Sequence, residues 1–268
     1  MDKRPVGILD SGLGGLTAVK EVLRLMPEEE IIYFGDTGRV PYGTRGREIV
    51  LKYTRQDINF LKTFDVKLII VACGTISTLA LGEVKDDYDI PVIGVVESAV
   101  EAACANTKIG KIAVIATQGS ISSGLYEQKI KQSLPGTEVL SVACPLLVPL
   151  VENGRFDEHD PVIKLVLEEY LGPVKDFKPD TMILGCTHYP LLRDAIARCV
   201  GPEVGLIDPG LETARTVKDL LEREDMKGEG GGAAFYSSDS VENFEKYGGM
   251  FLSRPIEGKV FRVDIEKY

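Results

Sequence analysis

Short, unbroken apolar runs alternate along this chain with stretches of helical periodicity. The runs are Val6–Leu9, Ile31–Phe34, Leu68–Ala72, Val92–Val96, Lys111–Ala116, Glu138–Ala143 and Thr181–Leu184, several of them continuous in Val, Ile and Leu. Continuous rather than alternating apolarity is expected of a strand covered on both faces. Between the runs lie amphipathic segments such as Leu16, Val19, Val22, Leu23 and Met26, spaced as one face of a helix. The alternation predicts an α/β fold, doubly wound, with mainly parallel sheets.

The pattern also repeats. Leu68-Ile69-Ile70-Val71-Ala72-Cys73-Gly74-Thr75 matches Thr181-Met182-Ile183-Leu184-Gly185-Cys186-Thr187, each an apolar run ending in a small residue, a cysteine and a nearby Thr, with the cysteines 113 positions apart. Two further strand-end pairs, Asp10 with Thr117 and Asp36 with Glu152, are expected at comparable offsets of 107 and 116. Repetition of one supersecondary plan implies two similar α/β domains related by a pseudo-twofold axis, with a cleft between them. The expected division is residues 1–97 plus 208–268 for the first domain and 98–207 for the second, in line with a chain of 268 residues. Ala99–Thr107 is read as the connection and Ile207–Gly210 as the return. Asp225–Gly232 reads as a mobile Gly-rich loop, and the segment around Phe235-Tyr236-Ser237 is expected to rejoin the first domain.

Composition narrows the partners. Thirty-one Lys and Arg against 41 Asp and Glu give a net charge of −10 without any basic run. Such a chain is a poor partner for nucleic acid or an anionic membrane. No apolar stretch approaches the roughly 18 residues of a membrane span. The first strand-like run is too short for a secretory core, so a cytoplasmic protein with reduced thiols is expected. Five cysteines without a C-x-x-C pair do not form a disulfide framework, and two histidines, His159 and His188, leave little for a metal site.

Asp10-Ser11-Gly12-Leu13-Gly14-Gly15 follows a strand and opens a helix, but it fails as a dinucleotide turn. The third glycine falls at Thr17, and Asp10 would repel a pyrophosphate. A small carboxylate ligand at the helix N-terminus fits better. Cys73 and Cys186 sit where parallel strands end, the usual place for ligands in open α/β sheets. A helix N-terminus there is expected to lower a thiol pKa. Cys104, Cys144 and Cys199 read as small core residues. Two thiols facing each other across a cleft suit proton transfer at a stereocentre: one removes the α-proton and the other returns one from the opposite face. Asp10, Asp36, Glu152 and His188 are candidates to poise the thiols or hold substrate charge. A two-domain amino-acid-binding protein would share the cleft without needing paired thiols. A Cys–His hydrolase has no use for the second cysteine, and no motif marks the Schiff-base lysine of a pyridoxal-phosphate racemase.

Four motifs carry a resemblance. Asp10–Gly15, Phe34-Gly35-Asp36-Thr37-Gly38-Arg39-Val40-Pro41-Tyr42-Gly43, Ala72-Cys73-Gly74-Thr75 and Leu184-Gly185-Cys186-Thr187-His188-Tyr189-Pro190-Leu191 resemble the motif set of bacterial glutamate racemases, with similarity running from Pro5 to about Val263. The resemblance implies cofactor-independent, PLP-independent interconversion of L- and D-glutamate in the cytoplasm, by a homodimer, supplying D-glutamate for peptidoglycan. It implies that Cys73 and Cys186 are the acid/base pair, Cys73 acting on D- and Cys186 on L-glutamate, assisted by Asp10, Glu152 and His188. It further implies substrate contacts from Asp10, Ser11, Tyr42, Gly43, Gly74, Thr75, Thr187 and His188, with no metal. Aspartate racemases share the two-cysteine plan but more often carry Glu where His188 stands; His188 and Pro41-Tyr42-Gly43 favour glutamate. Two positions depart from the pattern: Gly74 replaces the usual Asn, removing a side-chain hydrogen bond to substrate, and Gly38 replaces the usual Ala.

Overall fold

In the computed structural model, which describes Met1–Tyr268, the apolar runs are the buried cores of strands that alternate with helices. The chain runs β1 (Val6–Asp10), α1 (Leu16–Leu25), β2 (Ile31–Gly35), α2 (Arg47–Lys62), β3 (Leu68–Val71), α3 (Gly74–Leu79), α4 (Leu81–Val84), β4 (Val92–Gly94) and α5 (Val95–Asn106). It continues β5 (Lys111–Ala116), α6 (Gln118–Ser122), α7 (Leu125–Ser133), β6 (Glu138–Ala143), α8 (Leu147–Glu152), α9 (Pro161–Phe177), β7 (Thr181–Leu184), α10 (Arg193–Val200) and β8 (Gly205–Ile207). It closes with α11 (Pro209–Arg223), β9 (Ala233–Ser237), α12 (Val241–Leu252) and β10 (Val260–Arg262).

The strands form two parallel sheets, ordered β10-β9-β2-β1-β3-β4 and β6-β5-β7-β8. The order 2-1-3-4 of the first sheet is therefore reproduced as 6-5-7-8 in the second, and the β9–β10 pair extends the first sheet past β2. Continuous apolarity has the expected cause. In the first sheet Val6, Ile8, Leu68 and Ile70 pack on one face while Leu9, Ile69 and Val71 pack on the other. In the second, Ala113, Ile115, Met182 and Leu184 oppose Ile112, Val114 and Ile183. Each such Val, Leu or Ile contributes about 1.5–3 kcal/mol of burial, so both faces must be covered for the sheet to persist.

Backbone register refines the repeat. Ala72 donates to Leu9 O and Gly185 donates to Ile115 O, which makes Cys73 and Cys186 equivalent. Asp36 donates to Asp10 O and Cys144 donates to Ala116 O. The structural mate of Asp36 is thus Cys144, not Glu152, which ends a helix, and the mate of Asp10 is Ala116, so Thr117 corresponds to Ser11.

Several expectations change. The run Val92–Val96 stops as a strand at Gly94, whose extended backbone caps α5. With no further Gly or Pro before Asn106, Ala99–Thr107 is helix rather than connection, and its buried Ala99, Val100 and Ala103 pack beneath the second sheet. The boundary expected between residues 97 and 98 falls inside this helix. β8 and β10, three residues each, and β9 escaped the apolar pattern. The Gly-rich Asp225–Gly232 segment is tied down rather than free: Gly228 N–H donates to Glu29 Oε1 (2.7 Å) and Lys67 Nζ donates to Met226 O (2.7 Å). No helix is long and apolar enough to cross a membrane.

Candidate active site

The C-terminal ends of β1, β3, β5 and β7, with the loops after them, surround a cavity of about 320 Å³. Ser11, Tyr42, Gly43, Cys73, Gly74, Thr75, Glu152, Cys186, Thr187 and His188 all line it. Asp10 does not. It lies fully buried behind the wall, where its Oδ2 accepts from Gly12 N–H (3.0 Å) and its Oδ1 has no partner. Burial pushes its carboxyl upward, opposed by the His188 charge.

The two thiols are served differently. Cys73 caps the six-residue α3 and its Sγ donates to Ser11 Oγ at 3.4 Å. Burial, reinforced by Asp10, pushes this thiol up to about 12 despite the Ser11 hydrogen bond and the Ile76 N–H. The lowering expected from a helix N-terminus is therefore overturned for Cys73, because a single short turn of dipoles does not offset removal from water. Cys186 is not followed directly by a helix; a 3₁₀ turn, Tyr189–Leu192, intervenes before α10. Its sulfur lies 3.8 Å from His188 Nδ1, and His188 Nε2 lies 3.1 Å from Glu152 Oε1. Burial alone would favour neutral imidazole, but the hydrogen bonds to Cys186 and Glu152 outweigh it and raise His188 to about 10. An imidazolium there supplies the counter-charge that a thiolate on Cys186 needs.

The glycine motif does something other than bind an anion. Leu16, Thr17 and Ala18 N–H already donate to Leu13, Gly14 and Gly15 carbonyls, so the first amides of α1 are occupied. A Cβ on Gly14 would overlap Thr187 Oγ1 and lie 2.6 Å from His188 Nδ1. Thr17 Oγ1 is 3.0 Å from Thr187 O, across a separation of 170 residues. Gly14 and Thr17 are thus the seat on which the Cys186–His188 loop rests. Gly74 permits a similar approach: a Cβ there would overlap the Gly185 carbonyl. The Asn usual at this position would require Gly185 to move.

Asp36 stays outside the cavity, accepting instead from Arg39 Nε and Tyr42 Oη. Sequence reading missed Thr117, Gln118, Pro145, Val148 and Pro149, which also line the cavity. Thr117 Oγ1 lies 3.0 Å from Thr75 Oγ1. Its equivalence to Ser11 in the repeat was the signal that could have found it.

Comparison with known proteins places this architecture. The Asp/Glu/Hydantoin racemase profile matches residues 17–217. The chain belongs to this family. A glutamate racemase of Streptococcus agalactiae serotype Ia is 44% identical over 260 residues, covering 96% of this chain and 97% of that protein. Among solved structures of the racemase family, the glutamate racemase isoform RacE1 from Bacillus anthracis superposes with a TM-score of 0.94 at 36% identity, covering 98% of both chains. The glutamate racemase from Francisella tularensis, solved in complex with D-glutamate, gives 0.92 at 37% identity over 100% of both. Among members of this racemase family, the two cysteine loops, the glycine seat and the His188–Glu152 pair are the features of this chain on which a chemical reading must rest.

Proposed function

We propose that this protein interconverts L- and D-glutamate without a cofactor, using Cys73 and Cys186 as opposed acid/base groups, and supplies D-glutamate to peptidoglycan synthesis. The observation that carries the reading is the placement of two cysteines at equivalent positions of a repeated β-sheet plan, both on one cavity. One thiolate removes the α-proton of glutamate, leaving a carbanion at Cα, and the opposing thiol delivers its own proton to the other face. The first thiol is then protonated and the second is a thiolate, ready for the reverse direction. His188, held by Glu152, serves Cys186; Asp10 and Ser11 serve Cys73. Ser11, Tyr42, Gly43, Gly74, Thr75, Thr187 and His188 are the proposed substrate contacts, with Asp10 acting from behind them. The first amides of α3, at Gly74 and Thr75, lack helical acceptors and offer donors to a substrate carboxylate. Local donors matter because the net charge of −10 repels an anionic substrate at long range. Glutamate is preferred over aspartate in this reading because whole-length relatives at 42–44% identity are glutamate racemases.

In the same reading the chain is two domains, residues 1–97 with 208–268 and residues 98–207, meeting at the cavity with α5 spanning the join. The protein is a cytoplasmic homodimer without a nucleic-acid partner. The decisive experiment uses purified protein with no added cofactor. L-Glutamate should lose its optical rotation, and in D2O its α-proton should be replaced by deuterium, with aspartate turned over far more slowly. Absence of both rotation change and exchange would discard the reading.

A second expectation follows from the glycine seat. Gly14→Ala should displace His188 and lower kcat/KM about a hundredfold, the effect of an ångström-scale misplacement, while the far-UV circular dichroism stays native. Wild-type turnover in that variant would show that the seat does not position His188.

A further inference from the structure

Beneath one wall of the cavity, Val40–Thr44, lies a buried cluster of charge that the proton transfer does not use. Asp36 follows the last residue of β2, and its side chain and that of Asp57 on α2 are fully buried. Arg39 joins them. Its Nε donates to Asp36 Oδ2 (2.5 Å), its Nη2 to Asp57 Oδ1 (3.0 Å) and its Nη1 to Gln56 Oε1 (2.6 Å). The guanidinium carbon lies 3.9 Å from the centre of the Tyr53 ring. Tyr42 Oη donates to the same Asp36 oxygen, and its ring packs 5.4 Å from that of Tyr53. Asp36 and Tyr53 therefore hold both ends of the span Arg39–Tyr42. Burial and the Asp36 charge push the Asp57 carboxyl well above the usual carboxylate range, opposed by the Arg39 guanidinium.

The outer side of the guanidinium is closed by the end of the chain. Glu266, in the 3₁₀ turn Ile265–Lys267, accepts from Arg39 Nη1 (3.3 Å) and from Gln56 Nε2 (3.4 Å). Tyr268 packs edge-on against Phe60, 5.2 Å between centroids. A planar fork with all three nitrogens engaged and its face stacked fixes position far better than a point charge would.

We propose that Arg39 is a positioning residue for substrate binding, acting through Asp36 and Tyr42 to hold the Val40–Thr44 wall against the substrate, with Glu266 latching it from the C-terminal turn. The proposal rests on the glutamate reading of this cavity. Its test compares Arg39→Met, Arg39→Lys and Glu266→Gln in the full chain, by glutamate kinetics and by hydrogen exchange of the peptide Gly38–Gly46. Arg39→Met should raise the glutamate KM about tenfold, the worth of one lost charged hydrogen bond, with kcat changed less than about threefold, the pattern of lost uniform binding. Arg39→Lys should fall between wild type and Arg39→Met. Exchange of Gly38–Gly46 should accelerate in Arg39→Met and to a lesser degree in Glu266→Gln, with peptides outside this loop, α2 and the C-terminal turn as in wild type.

A merely structural role would lower kcat and thermal stability and leave KM in place, which overturns the proposal. So does wild-type exchange of the loop, or a loosened loop with unchanged KM. If Arg39→Met does not fold, exposed Glu266 decides: Glu266→Gln must speed exchange of Gly38–Gly46, and a wild-type rate there overturns the proposal. A wild-type protein that does not turn over glutamate, combined with a loosened loop in the variants, removes the glutamate reading and leaves the positioning role standing.

Discussion

Cys73→Ala should abolish racemisation yet keep half of the exchange chemistry. General acid/base groups contribute about 10²–10⁴ in rate, and inversion needs a donor on the face opposite the abstracting base, so racemisation should fall by at least about three orders of magnitude. The Cys186 side is left whole, with His188 and Glu152 in hydrogen-bond contact at 3.1 Å. It can still remove the proton of the enantiomer that presents its Cα–H to that face and return a deuteron there with retention. If Cys186 serves L-glutamate, Cys73→Ala in D2O exchanges the α-proton of L- but not of D-glutamate, and Cys186→Ala does the reverse. Proton NMR of the α-position and polarimetry on the same sample read both quantities. Racemisation at the wild-type rate in Cys73→Ala would end the two-thiol mechanism. Loss of both exchange reactions in that variant would show instead that the thiols do not act independently. The asymmetry of their surroundings sharpens the expectation. Burial pushes the Cys73 thiol up to about 12, with the buried Asp10 carboxyl behind it, whereas Cys186 has the His188 imidazole beside it. The two exchange reactions are thus expected to run at different rates.

The parts of this arrangement that could be read from the chain are those with local signatures. Strands covered on both faces are continuous in Val, Ile and Leu, so β1, β2, β3, β5 and β7 stood out, and a cysteine one small residue beyond two such strands marked Cys73 and Cys186. What could not be read depends on contacts between distant segments. Gly14 looks like a ligand-approach glycine because nothing within its own turn reveals that Thr187 and His188 will press on it. Asp36 looks like a site carboxylate because it ends a strand beside the cavity, but Arg39 and Tyr42, three and six residues on, turn it away. The offset rule placed Asp36 with Glu152 because it counted residues. Hydrogen-bond register, which counts rungs, pairs it with Cys144 instead. Short edge strands such as β8 and β10 carry too few residues for any periodicity to show.

The largest effect expected on stability lies far from the cavity, at Lys67. Its ammonium sits fully buried 2.5 Å from the equally buried Glu29 Oε2, and it also donates to Asp2 O (3.1 Å) and Met226 O (2.7 Å). Glu29 Oε1 in turn accepts from Gly228 N–H. One pair of charges therefore ties together the N-terminal lead into β1, the turn before β2, the start of β3 and the Gly-rich segment before β9. Lys67→Met keeps the volume but leaves the Glu29 carboxylate buried without a counter-charge, which costs about 3–5 kcal/mol. For a protein of this size that lowers Tm by on the order of 10 °C. Lys67→Met with Glu29→Leu removes the orphaned charge and should recover most of the loss, since apolar replacement of a whole buried pair is often neutral. A thermodynamic cycle over the two single variants and the double variant gives the coupling directly. Glutamate kcat and KM measured below the lowered Tm should match wild type, because none of these groups lines the cavity. A loss under about 1 kcal/mol for Lys67→Met would mean that water reaches Glu29. The Gly-rich segment would then be held by its backbone hydrogen bonds alone.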